Sequence, residues 1–431
     1  MTKTDFRYAV STLKPLGRWL VNADNISTWE HDTRTLPLPY RRLRNKYRTF
    51  AREHLGPIAL EVDRDIGHFD PLPVLRKAGR AGLLSEFMVK PIGSASFYGL
   101  FHNITFPAVL KAEELTSVCG GLGLLILDHD LGVAPIMLSG DVFQYLKWMS
   151  KIAYANKYGE MCPTAFAITE PSAGSDVEDS AGASSARLMT YAEPVDGGYV
   201  INGRKVFISN GGIAKYVTLF AAIKGEGAES WTCFLIDRDM KGFSVGRHVE
   251  KKMGQRASDA SELVLEDVFV PASRVLGRVR SGWAVNRNVL AYSRVGVAAI
   301  SLGIARGALE KTIDFCKTHS LAGKRLMDYQ DIQLTVADMM VDVAAARGIT
   351  WQAARSFIPY QGATAGAKVF ASDTAYRVSN SAMEIIGDYG YVNEYGIEKA
   401  LRDARLTQIY EGTNQVNRLA LIEWQLDSEL S

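Results

Sequence analysis

The sequence predicts a multidomain α and β protein whose helical and β zones are segregated along the chain. Three textures carry that prediction. From about Pro39 to Lys157 apolar residues recur at helical spacing. From about Pro163 to Gly277 short apolar runs alternate with turn residues, and from Ser281 onward the helical spacing returns. Because the zones are not interleaved strand by helix, separate layers are expected rather than a doubly wound sheet. The division is an N-terminal extension over residues 1–39, a helical domain over 40–162, a central β domain over 163–277 and a C-terminal helical domain over 278–431.

In the first zone, Tyr40-Arg41-Arg42-Leu43-Arg44 opens a charged amphipathic stretch. Phe106 to Thr116 forms another helix, with Pro107 in its first turn. The run Gly120-Gly121-Leu122-Gly123 lacks a full Gly-x-Gly-x-x-Gly and follows no strand, so its glycines serve helix packing rather than phosphate binding. In the second zone, Thr164 to Glu170 is a short apolar strand. The turn Asp196-Gly197-Gly198 leads into Tyr199-Val200-Ile201 as a hairpin. Tyr216 to Ala222, Thr232 to Ile236 and Glu262 to Val270 are further strands, and Pro271 closes the zone. In the third zone, Ile332, Val336, Met339, Met340 and Val343 fall on one helix face and read as bundle core. A final helix runs from Asn414 to Leu426 with Thr413 as its N-cap.

A chain of 431 residues with 47% hydrophobic content supports two or three cores. A formal charge of +2 and a pI of about 8.2 predict neither a nucleic-acid footprint nor a polybasic membrane patch. No apolar run reaches the length of a membrane span, and the best, Leu122 to Leu127, is far too short. Cys119, Cys162, Cys233 and Cys316 show no C-x-x-C spacing, which argues against a metal site or disulfides and fits a reducing cytoplasmic setting. Residues 1–25 are short of acids, as transit peptides are, but Pro15 breaks the helical pattern of Phe6, Val10, Leu13 and Leu16. Trp19, Leu20 and Val21 in this extension could cover a partner surface.

Chemistry concentrates in three places. The strand ending Ile168-Thr169-Glu170 runs into Pro171-Ser172-Ala173-Gly174-Ser175-Asp176. A strand end with open N–H groups suits a flat heterocycle, and the small-residue turn can cradle an anion such as a pyrophosphate. Phe207-Ile208-Ser209-Asn210 pairs an aromatic wall with a hydroxyl two residues on, which strand periodicity places on one face. Near the C-terminus, Gln408-Ile409-Tyr410-Glu411-Gly412-Thr413 sets a carboxylate beside a glycine at the mouth of the final helix. Taken alone the hexad is an ordinary loop-to-helix junction. A carboxylate buried there could act as a general base.

Together these segments resemble the acyl-CoA dehydrogenase family. The resemblance rests on Thr169 to Asp176, Phe207 to Asn210, Met253 to Asp259, Glu266 to Pro271, Glu394-Tyr395, Arg402-Asp403-Ala404 and Tyr410 to Thr413, in that order, and covers about residue 40 to the end. It implies an N-terminal helical domain, a central β domain and a C-terminal four-helix bundle, with FAD between the last two. It implies α,β-dehydrogenation of an acyl-CoA thioester, medium-chain acyl-CoA dehydrogenase-like in type, with Glu411 removing the α-proton while hydride passes to the flavin. By the same resemblance Phe166, Ile168, Thr169, Phe207 and Ser209 would surround the flavin ring. Ser175 would face the pyrophosphate and the substrate, and Tyr410, Thr413 and Gln415 would complete the near side. Arg294 would lie near the CoA cleft, or else serve as a surface salt-bridge partner. Some branches place the base on an earlier helix, but Ala291-Tyr292-Ser293-Arg294 carries no carboxylate, which leaves Glu411. Electrons would pass to an electron-transferring flavoprotein.

The chain departs from the family where a neighbouring subunit's FAD would be held. His319 and Ala322 stand in place of an Arg and a Phe, and Glu384 and Asp388 in place of an amide and a glycine. Lys324 or Arg325 could compensate in a homotetramer. The alternative is a heteromer in which a paralogous subunit supplies the missing Arg and Gln. Leu127-Asp128-His129-Asp130 falls where the family lines the acyl tail, and reads either as a polar acyl pocket or as a helix end or buried Asp–His pair. A flavin oxidase or monooxygenase on the same fold, and a purely structural subunit, are the remaining alternatives. Retention of Glu411 weighs against the monooxygenase and, together with the flavin-ring contacts, against the structural subunit.

Overall fold

The computed structural model describes residues 12–20, 26–96, 103–177 and 186–430. Val21, Phe6 and Val10 lie outside them. The chain forms two compact units, Met1–Lys46 and Tyr47–Ser431. The first holds α1 (Pro15–Leu20), α2 (Thr28–Thr35) and most of α3 (Leu38–Phe50). Within it, Ser27 caps α2 by accepting from the Glu30 N–H at 3.2 Å. The Arg44 guanidinium reaches the Thr33 hydroxyl at 3.1 Å and lies over the Trp29 ring. Trp19 and Leu20 are exposed on α1.

The second unit runs helical, then β, then helical. The first helical part holds α4 (Ala59–Arg64), α5 (Leu72–Arg80), α6 (Thr105–Thr116), α7 (Gly120–Leu138) and α8 (Val142–Tyr158). Pro107 sits in the first turn of α6 as expected, and the Asn103 side chain accepts from the Thr105 and Phe106 N–H groups at 2.8 and 2.9 Å. The Gly120 run opens α7 and packs closely. A Cβ on Gly121 would stand 2.8 Å from the Ala257 nitrogen. Leu127 to Asp130 lies inside α7, not at its end, and Asp128 and His129 do not pair. The His129 ring meets Thr164, Asn156 and the Leu84 carbonyl. Asp130 pairs with Lys111 at 2.6 Å.

Strands β1 (Thr164–Ala167), β2 (Tyr191–Val195), β3 (Gly198–Ser209), β4 (Tyr216–Ile223), β5 (Thr232–Asp237), β6 (Phe243–Val245), β7 (Ala260–Pro271) and β8 (Val275–Leu276) join in one sheet. Its order is β6-β7-β3-β2-β4-β5-β8, with β1 parallel to β4. The predicted hairpin at Asp196-Gly197 joins β2 to β3, with Val195 opposite Gly198. Alternation divides the side chains of β1 between two cores. Ala165 and Ala167 pack inside the sheet with Val217, Leu219 and Leu263. Phe166 and Ile168 face Val133, Ile136 and Trp148 of the helical layer.

The last part holds α9 (Gly282–Thr318), a small hairpin of β9 (Ser320–Leu321) and β10 (Lys324–Arg325), then α10 (Gln330–Ala353), α11 (Gln361–Ile386), α12 (Ile397–Thr407) and α13 (Asn414–Leu430). Helix α13 thus runs past the expected Leu426. On α10, Val336, Met339 and Val343 are core as predicted, but Met340 is 37% exposed and Ile332 half-buried, so the apolar stripe is wider than the packed face. Helix α9 approaches α6 so closely that a Cβ on Gly303 or Gly307 would stand 2.6 Å from the Glu113 carbonyl or 2.2 Å from that of Ser117. Both α7 and α9 are long and apolar enough to cross a membrane, contrary to the sequence reading, because polar residues scattered through them do not lower the average enough. In this fold both are mostly buried core helices.

Candidate active site

The site begins where β1 ends. Regular pairing stops at Ala167, three residues short of the predicted end, and Glu170 closes a turn with Ala173 through a 2.9 Å backbone bond. Glu170 folds inward. One carboxylate oxygen meets Lys205 Nζ at 2.8 Å, and the other accepts from the Met189 and Thr190 N–H groups at 2.6 and 3.0 Å. Lys205 also donates to the Ile168 carbonyl at 2.9 Å, and the Val206 N–H to the Thr169 carbonyl at 3.0 Å. Burial lowers the Lys205 pKa, while the charge of Glu170 opposes that shift. The strand end carrying Thr169 is thereby fastened to the segment carrying Phe207.

That segment is not a regular strand. The register with β7 shifts between Lys205 and Ile208, and Phe207 has φ +58. Strand alternation therefore does not put Phe207 and Ser209 on a common face as predicted. Instead a bulge turns Phe207 outward, 62% exposed, while Ile208 enters the core and Ser209 stays half-buried. Asp259 fixes the next turn by accepting from the Asn210 and Gly212 N–H groups at 2.7 and 2.9 Å. Phe166 and Ile168 are buried in the core beneath, which leaves little of their surface to a ligand.

Glu411 lies in the loop between α12 and α13, in the left-handed region at φ +54, followed by Gly412 at φ +79. Side chains hold the loop's carbonyls. Asn417 Nδ2 donates to those of Glu411, Gly412 and Thr413 at 3.2, 2.9 and 3.0 Å, and Lys368 Nζ to Gly412 at 2.7 Å and to Asn414 Oδ1 at 2.8 Å. Thr413 caps α13 as predicted, its hydroxyl accepting from the Val416 N–H at 3.3 Å. The Glu411 N–H has no acceptor among the described residues.

The Glu411 carboxylate accepts from the Ser293 hydroxyl of α9 at 2.5 Å. Glu411 is half-buried, yet the protein around its carboxyl pushes the pKa above the ordinary carboxylate range. The Ser293 hydrogen bond and the Arg294 and Lys368 charges pull the other way. Arg294 is 3% exposed, so it is not a surface salt-bridge partner. Tyr410 is half-buried and burial raises its pKa, while Gln415 is exposed on the first turn of α13. The Thr413 N–H meets Ser175 Oγ at 3.4 Å, which brings the β1 turn to the Glu411 loop. The expected anion cradle is partly engaged, since the Gly174 N–H donates to Asp176 at 2.6 Å.

Sequence reasoning missed the groups that set the site. Ser293 drew attention only as the place where no carboxylate stands. Lys368 lies on a distant helix with no local signal, whereas Asn414 and Asn417, three residues apart at a helix start, were a readable one. At the departing positions, the His319 ring stacks on Phe315 at 3.6 Å, and Ala322 makes the hairpin turn with φ +49. Arg325 forms a two-pronged pair with Asp328 at 2.9 and 3.0 Å, and Lys324 lies over the Tyr329 ring. Glu384 accepts from Asn380 at 2.7 Å, and Asp388 is exposed.

Comparison with known proteins places these features. Family models described as the acyl-CoA dehydrogenase N-terminal, middle and C-terminal domains match residues 40–156, 165–268 and 280–426. The short-chain-specific acyl-CoA dehydrogenase of Clostridium acetobutylicum is 34% identical over 384 residues, covering 88% of this chain and 96% of that one. The structure of butyryl-CoA dehydrogenase from Megasphaera elsdenii is similar with a TM-score of 0.82 at 31% identity, over 91% of this chain and 99% of that one. An acyl-CoA dehydrogenase from Bacillus anthracis complexed with FAD is similar with a TM-score of 0.80 at 26% identity, over 92% and 68% of the two chains.

Proposed function

The chain belongs to the acyl-CoA dehydrogenase family, and from that premise we propose that Glu411 is the base in converting an acyl-CoA thioester to the 2-enoyl-CoA. The enzyme is an oxidoreductase and an FAD flavoprotein. The residues present fit that group. Phe207 stands open on a segment whose Val206 N–H is bonded to the Thr169 carbonyl, an apolar face at the strand end that a flat heterocycle would cover. Ser175 and the N–H groups near it suit a diphosphate. Thr169, Phe207 and Ser209 would hold the ring, with Tyr410, Thr413 and Gln415 on the near side and Phe166 and Ile168 behind it. Bound FAD supplies the acceptor for the β-hydride.

The chain's own task is the proton. An α-C–H is a weak acid even beside a thioester, so a base with a raised pKa is needed, together with a donor for the carbonyl oxygen as charge develops there. The observation that carries this reading is the Glu411 loop. Its carboxylate is bonded to Ser293 at 2.5 Å and its own N–H is left without an acceptor among the described residues. Arg294 would lie beside the CoA end of the substrate. Electron-transferring flavoprotein is the proposed acceptor. Glu411→Gln in holoprotein should lower kcat by about 10²–10⁴-fold with flavin content unchanged, measured with an acyl-CoA series and an artificial electron acceptor. Unchanged turnover would remove Glu411 from the mechanism.

A specific observation favours a heteromer over a homotetramer. The side chains expected to compensate for the lost Arg are engaged within their own chain, Arg325 with Asp328 and Lys324 over the Tyr329 ring. Expressed alone, the chain should purify with well under one FAD per subunit, and full loading in a homotetramer would sink this reading.

A further inference from the structure

The loop that carries Glu411 has little backbone bonding of its own. Glu411 and Gly412 stand at φ +54 and +79. Among the described residues a single backbone bond spans them, from the Asn414 N–H to the Gln408 carbonyl at 3.1 Å. Two successive residues in the left-handed region, one of them not glycine, persist only where surrounding groups fix them.

The fixing groups that come from far along the chain lie on α11. Lys368, Ser372 and Asp373 fall at i, i+4 and i+5, close together on one side of that helix. Lys368 is fully buried, and its Nζ donates to the Gly412 carbonyl at 2.7 Å and to Asn414 Oδ1 at 2.8 Å. Asp373 Oδ1 accepts from Gln408 Nε2 at 2.7 Å and from Asn414 Nδ2 at 2.8 Å. One carboxylate oxygen thus holds the residues on both sides of the loop. Its other oxygen accepts from Arg418 of α13 at 2.9 Å, and Ser372 Oγ accepts from Asn414 Nδ2 at 2.9 Å. We propose that Lys368 and Asp373 are positioning residues, a clamp on the centre and both ends of the loop that keeps the Glu411 carboxylate at Ser293 and its N–H open. The inference rests on the reading of Glu411 as the base.

The two residues act by separable means. Burial raises the Glu411 pKa most strongly, and against it stand the Ser293 hydrogen bond, the Arg294 charge and then the Lys368 charge. Tyr410, beside Glu411 in the loop, feels the Glu411 charge in turn. Asp373 is not among the groups that shift Glu411, and its carboxylate is engaged by Gln408, Asn414 and Arg418. Lys368 therefore brings geometry and charge to the base, and Asp373 geometry alone.

The test is steady-state kinetics of flavin-loaded holoprotein with an acyl-CoA series and an artificial electron acceptor, from about pH 5.5 to 9. Asp373→Ala frees both ends of the loop and leaves the cation in place. Its kcat should fall about 10-fold, with KM, flavin content and the acidic limb of kcat/KM unmoved. Lys368→Met frees the centre and removes the charge. Its kcat should fall about 10²-fold, and the limb should move to higher pH by about one unit. A merely structural role would lower the melting temperature and leave kcat of the folded holoprotein at the wild-type value, which overturns the proposal. A change confined to KM overturns it as well, and an unmoved limb in Lys368→Met overturns the part assigned to its charge. If Lys368→Met fails to fold or to retain flavin, the half-buried Asp373 decides, and wild-type kcat in Asp373→Ala overturns the clamp. Undiminished turnover in Glu411→Gln would overturn the base reading and this inference with it. An inactive Glu411→Gln beside clamp variants of wild-type kcat overturns this inference alone.

Discussion

Glu411 is subject to two opposing influences, and their balance sets when it can take a proton. Burial raises its pKa, and the Ser293 hydroxyl and the Arg294 and Lys368 charges lower it. A base must be ionised to act, so activity should rise with pH through the raised pKa. Ser293→Ala removes the donor and should move that acidic limb to higher pH by about one unit, read from the pH dependence of kcat/KM. The same shift bears on stability. A carboxyl whose folded pKa exceeds its unfolded one contributes stability below the unfolded value, which is lost as pH rises through the folded value. Glu411→Gln should therefore melt higher than the wild type above that pH and alike well below about pH 4. At this scale the sequence was legible for the Thr413 cap, and the short motifs around Glu411 and Thr169 marked two loops that the structure brings together. It was opaque for Ser293 and Lys368, whose contacts with the Glu411 loop come from distant segments.

Elements are joined at the site by a small number of buried polar links. Lys205 ties the end of β1 to β3 by binding the Ile168 carbonyl and Glu170, and Glu170 ties both to the chain entering β2. Lys205→Met would leave Glu170 buried without its cation, at a cost of about 3–5 kcal/mol, and release the Thr169 end from the Phe207 bulge. Chemical denaturation should register the first effect and a weakened flavin dissociation constant the second. A destabilised protein with unaltered flavin affinity would confine Lys205 to a structural role. Strand and helix identities were readable from period alone, as β4, β5 and the core face of α10 attest. The bulge was not. Lys205-Val206-Phe207-Ile208 holds no glycine or proline to mark it as other than a plain strand, and only the pairing with β7 creates the extra residue.

Across the second unit, the helical layer and the C-terminal helices are locked by charges removed from water. Arg306 of α9 grips Glu114 of α6 at 2.7 and 2.8 Å, while Glu113 takes Arg347 at 3.2 Å and the Trp351 ring N–H at 3.3 Å from α10. Arg306→Met takes from buried Glu114 its closely bonded cation, leaving only Arg48 at 3.6 Å, and should cost about 3–5 kcal/mol of unfolding free energy, with loss of flavin following rather than preceding loss of helix. Circular dichroism and flavin fluorescence recorded on one thermal ramp would order the two events. The succession of zones was legible because each has its own hydrophobic period. The length and burial of α7 and α9 were not, since a helix enclosed on all sides shows no amphipathic stripe.

The left-handed backbone at Glu411 has a consequence for descent. A non-glycine residue with positive φ costs roughly 1–3 kcal/mol, and a glycine or asparagine there would relax the loop. Random drift therefore pushes this position toward residues that cannot abstract a proton, and the fold would gain by yielding. A lineage that had ceased to catalyse should show that replacement early, before the wall at Phe207 or the cap at Thr413 decays. On the proposed role of Glu411, selection for proton abstraction is what would hold a costly residue at this position against that gradient.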